Sequence, residues 1–465
     1  MIDNKSDHLQ PQLRPRVTCP HCWNNFAPEE TLWIAAHPDL QNDLRVGEGE
    51  GQRFLPTRYN VAGNAIDARG TDCQDLACPQ CHLRIPKSLL ELPPVFVSIA
   101  GTPSCGKTYL LAAMTWRLRR TLPKQFAMTF ADADPVSNAI LNEYEDQQFF
   151  NDKPDEIVKL DKTQVVSDDL YYTVNYGDQE VRYPRPFLFA IRPGDQHPNI
   201  GRASDISHLI CLYDNAGESF EPGADDASSP VTRHLAQAQV LMYCFDPTQD
   251  PRLRNDCRTT SSDPQVKLSL ETRRQESIFH EMVDRVRKFT GLSQNQKHNR
   301  GLVVIVTKYD VWWKLLGDEK LKPPWLNLED QPFGALDMPT IDKISAKVRS
   351  ILWEYSPEIV SAAEAFSQQV MYIPASATGC SPETEWDEEG KEHVITGIRP
   401  RDINPIWAEV PLLVALARWG HGMIPYARKK TQQTDGAKSD VDRQDTEYAY
   451  PPTPETPTDP MDDKR

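Results

Sequence analysis

No stretch of this 465-residue chain approaches the roughly 20 apolar residues that a membrane-spanning helix requires. No apolar segment of the secretory kind follows Met1. Positive charge is also short. Fifty-one Lys and Arg stand against 67 Asp and Glu, and the formal net charge of −16 argues against nucleic acid or an anionic membrane as a partner of the whole surface. No internal repeat is visible. Proline, by contrast, is plentiful: 39 residues, some in loops such as Lys322-Pro-Pro324, point to ordered connections. Over 431–465 five prolines and nine acidic residues occur with almost nothing apolar, the composition of a disordered tail. The length suits one large α/β domain and a small satellite.

The strongest positive signal is Gly101-Thr-Pro-Ser-Cys-Gly-Lys-Thr108, which meets G-x-x-x-x-G-K-[ST] at every fixed position. An apolar strand pattern, Pro94-Val-Phe-Val-Ser-Ile-Ala100, precedes it, and a helical pattern over 107–121 follows. Gly101 and Gly106 let the backbone wrap closely, so that N–H groups around Ser104 and Cys105 face phosphate oxygens. The helix N-terminus adds partial positive charge. Lys107 is expected on the β- and γ-phosphates and the Thr108 hydroxyl on Mg²⁺. The Cys105 thiol is either an oxidation point or a tolerated small residue.

A phosphate loop identifies a nucleoside triphosphate but not its base. Downstream, the strand pattern Ser207-His-Leu-Ile-Cys-Leu-Tyr213 runs into Asp214-Asn-Ala-Gly217, a D-x-x-G at a strand's carboxyl end, where open α/β sheets bind ligands. Asp214 would hold Mg²⁺ and the Gly217 amide would sense the γ-phosphate. A second core strand, Gly301-Leu-Val-Val-Ile-Val306, ends in Thr307-Lys-Tyr-Asp310. That tetrad resembles the [NT]-K-x-D element of GTPases, formed here by Thr307, Lys308 and Asp310, whose aspartate accepts hydrogen bonds from guanine. Val370-Met-Tyr-Ile-Pro374 then leads into Ser376-Ala-Thr378, similar to the loop in which the Ala377 amide would meet the guanine O6. Strand patterns at 187–191 and 239–245 and helical patterns at 231–238, 270–289, 341–353 and 407–419 complete an alternating order. A mostly parallel sheet covered on both faces follows from it. The order resembles the Ras-like doubly wound α/β fold, extended by large insertions.

Two residues depart from that resemblance. Thr307 replaces the commoner asparagine, which braces the phosphate loop against the base. Glu218 occupies the place of a water-orienting glutamine, where a carboxylate either positions water or is simply an exposed loop residue. For the threonine that completes the Mg²⁺ shell, Thr163 is chosen over Thr173. Arg233 is a built-in arginine finger or, by preference, a solvated helical arginine.

Toward the amino terminus, Cys19-Pro-His-Cys22 and Cys78-Pro-Gln-Cys81 are paired C-P-x-C knuckles, the spacing that brings four thiolates onto one tetrahedral Zn²⁺. The 55 residues between them read as a loop-rich excursion with Gly47-Glu-Gly-Glu-Gly51 as a flexible tip. Cys73 is a spare ligand candidate, and His21 and His82 are poorer ones. Disulfides are the rival use, but a phosphate-loop protein without a secretory leader implies the reducing cytoplasm.

Taken with the knuckles, GTPSCGKT, the stretch from Leu212 to Glu218, Asp246-Pro-Thr248 and TKYD resemble the bacterial double-GTPase families of conflict and defence systems. The resemblance implies a Mg²⁺-dependent GTPase switch with bound GTP or GDP, acting on a co-encoded GTPase or effector. The chain divides on this reading into a zinc-ribbon-like module over 1–92, a phosphate-loop GTPase domain over 93–428 and an acidic tail over 429–465. The rivals are a signalling ATPase, for which no arginine sensor or Asp-Glu box is visible, and a non-hydrolysing nucleotide-dependent scaffold.

Overall fold

The computed structural model describes residues 13–159, 171–215, 233–267, 274–317, 320–328, 331–383, 397–420, 422–429 and 446–449. The apolar strand ahead of the phosphate loop forms β1 (Pro94–Gly101), and the helix after it, α1 (Lys107–Phe126), runs one turn beyond its expected end. The chain continues through β2 (Met128–Asp132), α2 (Ala139–Phe149), β3 (Phe187–Pro193) and β4 (His208–Asp214). A short helix, α3 (His234–Gln237), leads to β5 (Val240–Phe245). Then come α4 (Gln275–Thr290), β6 (His298–Val306), α5 (Tyr309–Leu316), α6 (Met338–Tyr355), α7 (Pro357–Phe366), β7 (Ser367–Pro374) and α8 (Val410–Trp419).

The seven strands form one central sheet in the order β2-β3-β4-β1-β5-β6-β7. From β4 to β7 every pairing is parallel, with Ile99 opposite both Asp214 and Met242. β3 is antiparallel to both of its neighbours, so the sheet is mixed. The edge strand β2, whose residues largely alternate buried and exposed, falls where the sequence analysis assigned no element.

Alternation along β1 sends Val97 and Ile99 to one face and Phe96, Ser98 and Ala100 to the other. The first face packs under α1 and α8 through Leu111, Met114, Leu413 and Leu416. The β5–β6 half of the second face packs under α4, α6 and α7 through Phe279, Met282, Leu352 and Val360. The β3–β4 half is covered differently. Phe96, Leu188, Leu209, Cys211 and Tyr213 share one buried cluster with Val17, Cys19, Phe26, Cys78, Cys81 and Leu83 of the knuckle region. Each such buried aromatic or leucine side chain contributes about 1.5–3 kcal/mol, and here that burial ties the amino-terminal residues to the sheet.

Two expectations change. Gly47–Gly51 is not a loop tip but a strand paired antiparallel with Gln41–Asp43, and its neighbours include a four-stranded sheet. Backbone pairing needs no apolar side chains, so the glycine-rich composition concealed it. Within the stretch read as a disordered tail, Thr446–Ala449 pairs as a strand with Tyr426–Lys429.

Candidate functional site

Gly101 ends β1 where a Cβ would lie 2.7 Å from the Cys244 carbonyl oxygen and 3.1 Å from the Cys105 sulfur, so only glycine fits. Ser104 and Gly106 take the left-handed conformation, and Gly106 is the residue from which α1 starts. Lys107 is buried, and its ammonium donates to the carbonyls of Gly101 (3.0 Å) and Thr102 (2.9 Å), spanning the loop. The Thr108 hydroxyl donates to Asp214 Oδ2 at 2.7 Å, joining the residue pair that the sequence placed on Mg²⁺. Burial pushes the Asp214 carboxyl up, against the opposing pull of Lys107 and Thr108. Its other oxygen, Oδ1, is buried with no hydrogen-bond partner among the described residues.

The residue after Asp214 is also tied down. Asn215 donates to the Ile99 carbonyl at 2.7 Å and pairs through Oδ1 with His234 Nε2 at 2.7 Å. His234 Nδ1 meets Ser98 Oγ at 2.8 Å, and its ring stacks on Tyr213 at 4.7 Å. Asp214 and Asn215, the described start of the D-x-x-G segment, are thus anchored to the sheet and to α3. Gly217 and Glu218 lie outside the described residues, as does Thr163. Thr173, the weaker switch candidate, sits in a hairpin with its partner Arg182, beside the knuckle cluster that Val174 enters. Arg233 is exposed and precedes α3.

At the ends of β6 and β7 a second group assembles. Lys308 takes the left-handed conformation at the start of α5. Asp310 Oδ1 accepts from Ser376 Oγ at 2.5 Å, and Ser376 Oγ accepts in turn from the Gly379 amide at 2.8 Å. Burial raises the Asp310 carboxyl and the Ser376 bond lowers it. Ala377 lies half-buried beside this pair. The structure therefore brings Asp310, Ser376 and Ala377 to one place, and sets Lys107, Thr108 and Asp214 at another, along the carboxyl edge of the same sheet. Sequence reasoning missed Asn215 and His234. Asn215 lay inside the D-x-x-G motif as an unassigned position, and His234 carried no local signal.

The four knuckle cysteines converge. Their sulfurs all lie within 4.8 Å of one another, with Cys19 to Cys81 at 3.8 Å and Cys22 to Cys78 at 3.7 Å. Four sulfurs at about 2.3 Å around a tetrahedral ion stand about 3.8 Å apart. The amides of His21 and Gln80 point at Cys19 and Cys78, each at 3.4 Å. Burial pushes the Cys19 and Cys81 thiols up, a cost that a divalent cation would offset. The donor set fits Zn²⁺. The spare candidates are used elsewhere: Cys73 faces Asp67, His21 bonds the Arg84 carbonyl and His82 pairs with Asp43. All described cysteines are free thiols.

The fold is thus a mixed α/β architecture around a central mixed sheet, joined to a four-cysteine cluster that could hold zinc. No family model matches the chain. A Mycolicibacterium smegmatis protein named for ESX-1 scaffolding and assembly, SaeC, is 20% identical over 261 residues, 51% of this chain. This chain matches 59% of that relative's length. Among solved structures, an Aquifex aeolicus Era variant bound to GDP and aluminium fluoride is 12% identical, with a TM-score of 0.22, over 62% of this chain and 53% of its own. The GTP-bound GTPase-like domain of Ski7 from S. cerevisiae is also 12% identical, with a TM-score of 0.25, over 62% and 43%. Likenesses this distant say nothing about the chemistry of the site. No described helix is long and apolar enough to cross a membrane.

Proposed function

We propose that this chain is a Mg²⁺-dependent, guanine-nucleotide-binding switch that hydrolyses GTP slowly and regulates partner proteins. The observation that carries the reading is the paired arrangement at one sheet edge. Thr108 and Asp214 meet there with a buried carboxylate oxygen left open, and Asp310 is held by Ser376. Thr108 and Asp214 would hold Mg²⁺, which would supply charge neutralisation at the phosphates. Lys107 and the Gly101–Gly106 backbone would bind the phosphates, and Asp310 would accept from two guanine donors that adenine does not offer. Cys19, Cys22, Cys78 and Cys81 would hold structural Zn²⁺. The acid at 218 and the threonine at 163 stay assigned to water and to the Mg²⁺ shell. A place beside a co-encoded GTPase or effector of a bacterial conflict system is part of the same proposal.

Calorimetry with Mg²⁺ tests the base. GDP and GTP should bind at least about 100-fold more tightly than ATP, since a site built to accept from the base rejects one lacking the donors. Asp310→Asn should shift the preference toward xanthine nucleotides. Equal affinity for ATP and GTP would refute the guanine assignment. A second reading, a nucleotide-dependent scaffold without turnover, is favoured by the likeness to SaeC. Phosphate release by the purified protein separates the two, with about 10⁻⁴ to 10⁻³ per second expected of a switch lacking a supplied arginine.

A further inference from the structure

The loop leaving β5, Asp246-Pro-Thr-Gln-Asp250, touches both halves of the candidate site. At one end, Gln249 is held in the phosphate loop. Its Oε1 accepts from the Thr102 hydroxyl at 2.8 Å, and its Nε2 donates to the Pro103 carbonyl at 2.9 Å. At the other end, Asp246 and Thr248 hold the lysine of the T-K-x-D element. Lys308 Nζ donates to Asp246 Oδ2 at 2.5 Å and to Thr248 Oγ1 at 3.1 Å, and reaches Gln265 as well.

Hydrogen bonds brace the loop between these ends. Asp246 Oδ1 accepts from the Thr248 amide and hydroxyl at 2.9 and 2.7 Å, closing a local turn. The Gln275 side chain clasps the Asp246 backbone in both directions, each bond 2.8 Å. Asp250 caps the next short helix and accepts from Ser356 Oγ at 2.6 Å. Asp246, Thr248, Gln249, Asp250, Gln275 and Thr102 are all buried. A polar chain this dry is costly unless it is fully paired, and pairing makes it stiff.

Thr307 itself makes no such link. Its amide and hydroxyl both donate back to the Phe245 carbonyl, at 2.9 and 3.2 Å, so the residue does not reach the phosphate loop. Resting on the guanine-nucleotide reading, we infer that Asp246 and Gln249 are positioning residues. They hold the phosphate loop and the base loop at a set separation. A nucleotide that engages both loops at once gains from that fixed spacing, because the cost of ordering is met before binding. A ligand that engages only the phosphate loop gains nothing from it.

This distinction supplies the test. Gln249→Leu removes both bonds to the phosphate loop. Gln249→Glu keeps an acceptor for Thr102 and loses the donor to Pro103. Both variants are checked for folding by circular dichroism, and GDP and inorganic pyrophosphate are titrated by calorimetry with Mg²⁺. GDP affinity should fall about 10- to 100-fold in Gln249→Leu and less in Gln249→Glu, while pyrophosphate affinity stays within about twofold of the parent. Equal losses for GDP and pyrophosphate would mean that Gln249 only shapes the phosphate loop, and would overturn the inference. Unchanged GDP affinity in a folded Gln249→Leu protein would overturn it as well. A parent that binds pyrophosphate with Mg²⁺ but gains nothing from guanosine would instead overturn the guanine-nucleotide reading, and the inference with it.

Discussion

Removing one oxygen atom from the sheet should be felt at the four cysteines. Tyr213 is buried at the end of β4, one residue before Asp214, and its hydroxyl donates to the Pro20 carbonyl at 2.5 Å. Pro20 lies inside the first knuckle, between Cys19 and His21. Tyr213→Phe keeps the ring stacked on His234 at 4.7 Å and against Phe96 at 6.2 Å. Only the hydrogen bond is lost, leaving a buried carbonyl with one partner fewer, at a cost of about 1–3 kcal/mol. Metal binding at such knuckles is coupled to their folding, so a contact made by the folded knuckle supports the loaded state more than the metal-free one. At about 1.4 kcal/mol per factor of ten, zinc affinity should fall about 5- to 150-fold. Competition with a chromophoric chelator of known affinity measures it. Zinc affinity within about twofold of the parent, alongside a lowered unfolding midpoint, would refute the coupling and leave the knuckles independent of the sheet.

Lys107→Ala should abolish tight triphosphate binding while leaving the protein folded, read by calorimetry against a thermal melt. Burial pushes the Asp263 carboxyl up to about 6 from the ordinary 3.8, so the native state keeps a proton that the unfolded chain releases, and that share of stability is present in acid and lost as pH rises through about 6. Asp263→Asn should remove this dependence and stabilise the protein above pH 6 by up to about 3 kcal/mol, measured by urea unfolding at pH 5 and 7.5. In Gly301→Ala the new Cβ would fall 2.2 to 2.4 Å from the Trp419 indole, whose Nε1 is held by Gln369 at 2.7 Å. A loss of about 1–3 kcal/mol is expected in the same unfolding assay, and an unchanged midpoint would show that the indole moves freely.

Local pattern alone determined the strands that carry the motifs, because each is a short apolar run ended by glycine or a polar turn. β1, β4, β5, β6 and β7 all lie where that pattern places them. So do the four converging cysteines, whose C-P-x-C spacing encodes each knuckle within four residues. Pairing across the chain was not legible. Gln249 meets Thr102 across 147 residues, and Tyr213 meets Pro20 across 193. Neither pair leaves a period or a spacing in the sequence, since a polar side chain at a strand end reads the same whether it faces water or a distant carbonyl. The sharing of one core between knuckle and sheet was hidden for a related reason. Phe96, Leu209 and Cys211 announce by alternation that a face is buried, and only the folded chain decides what buries it.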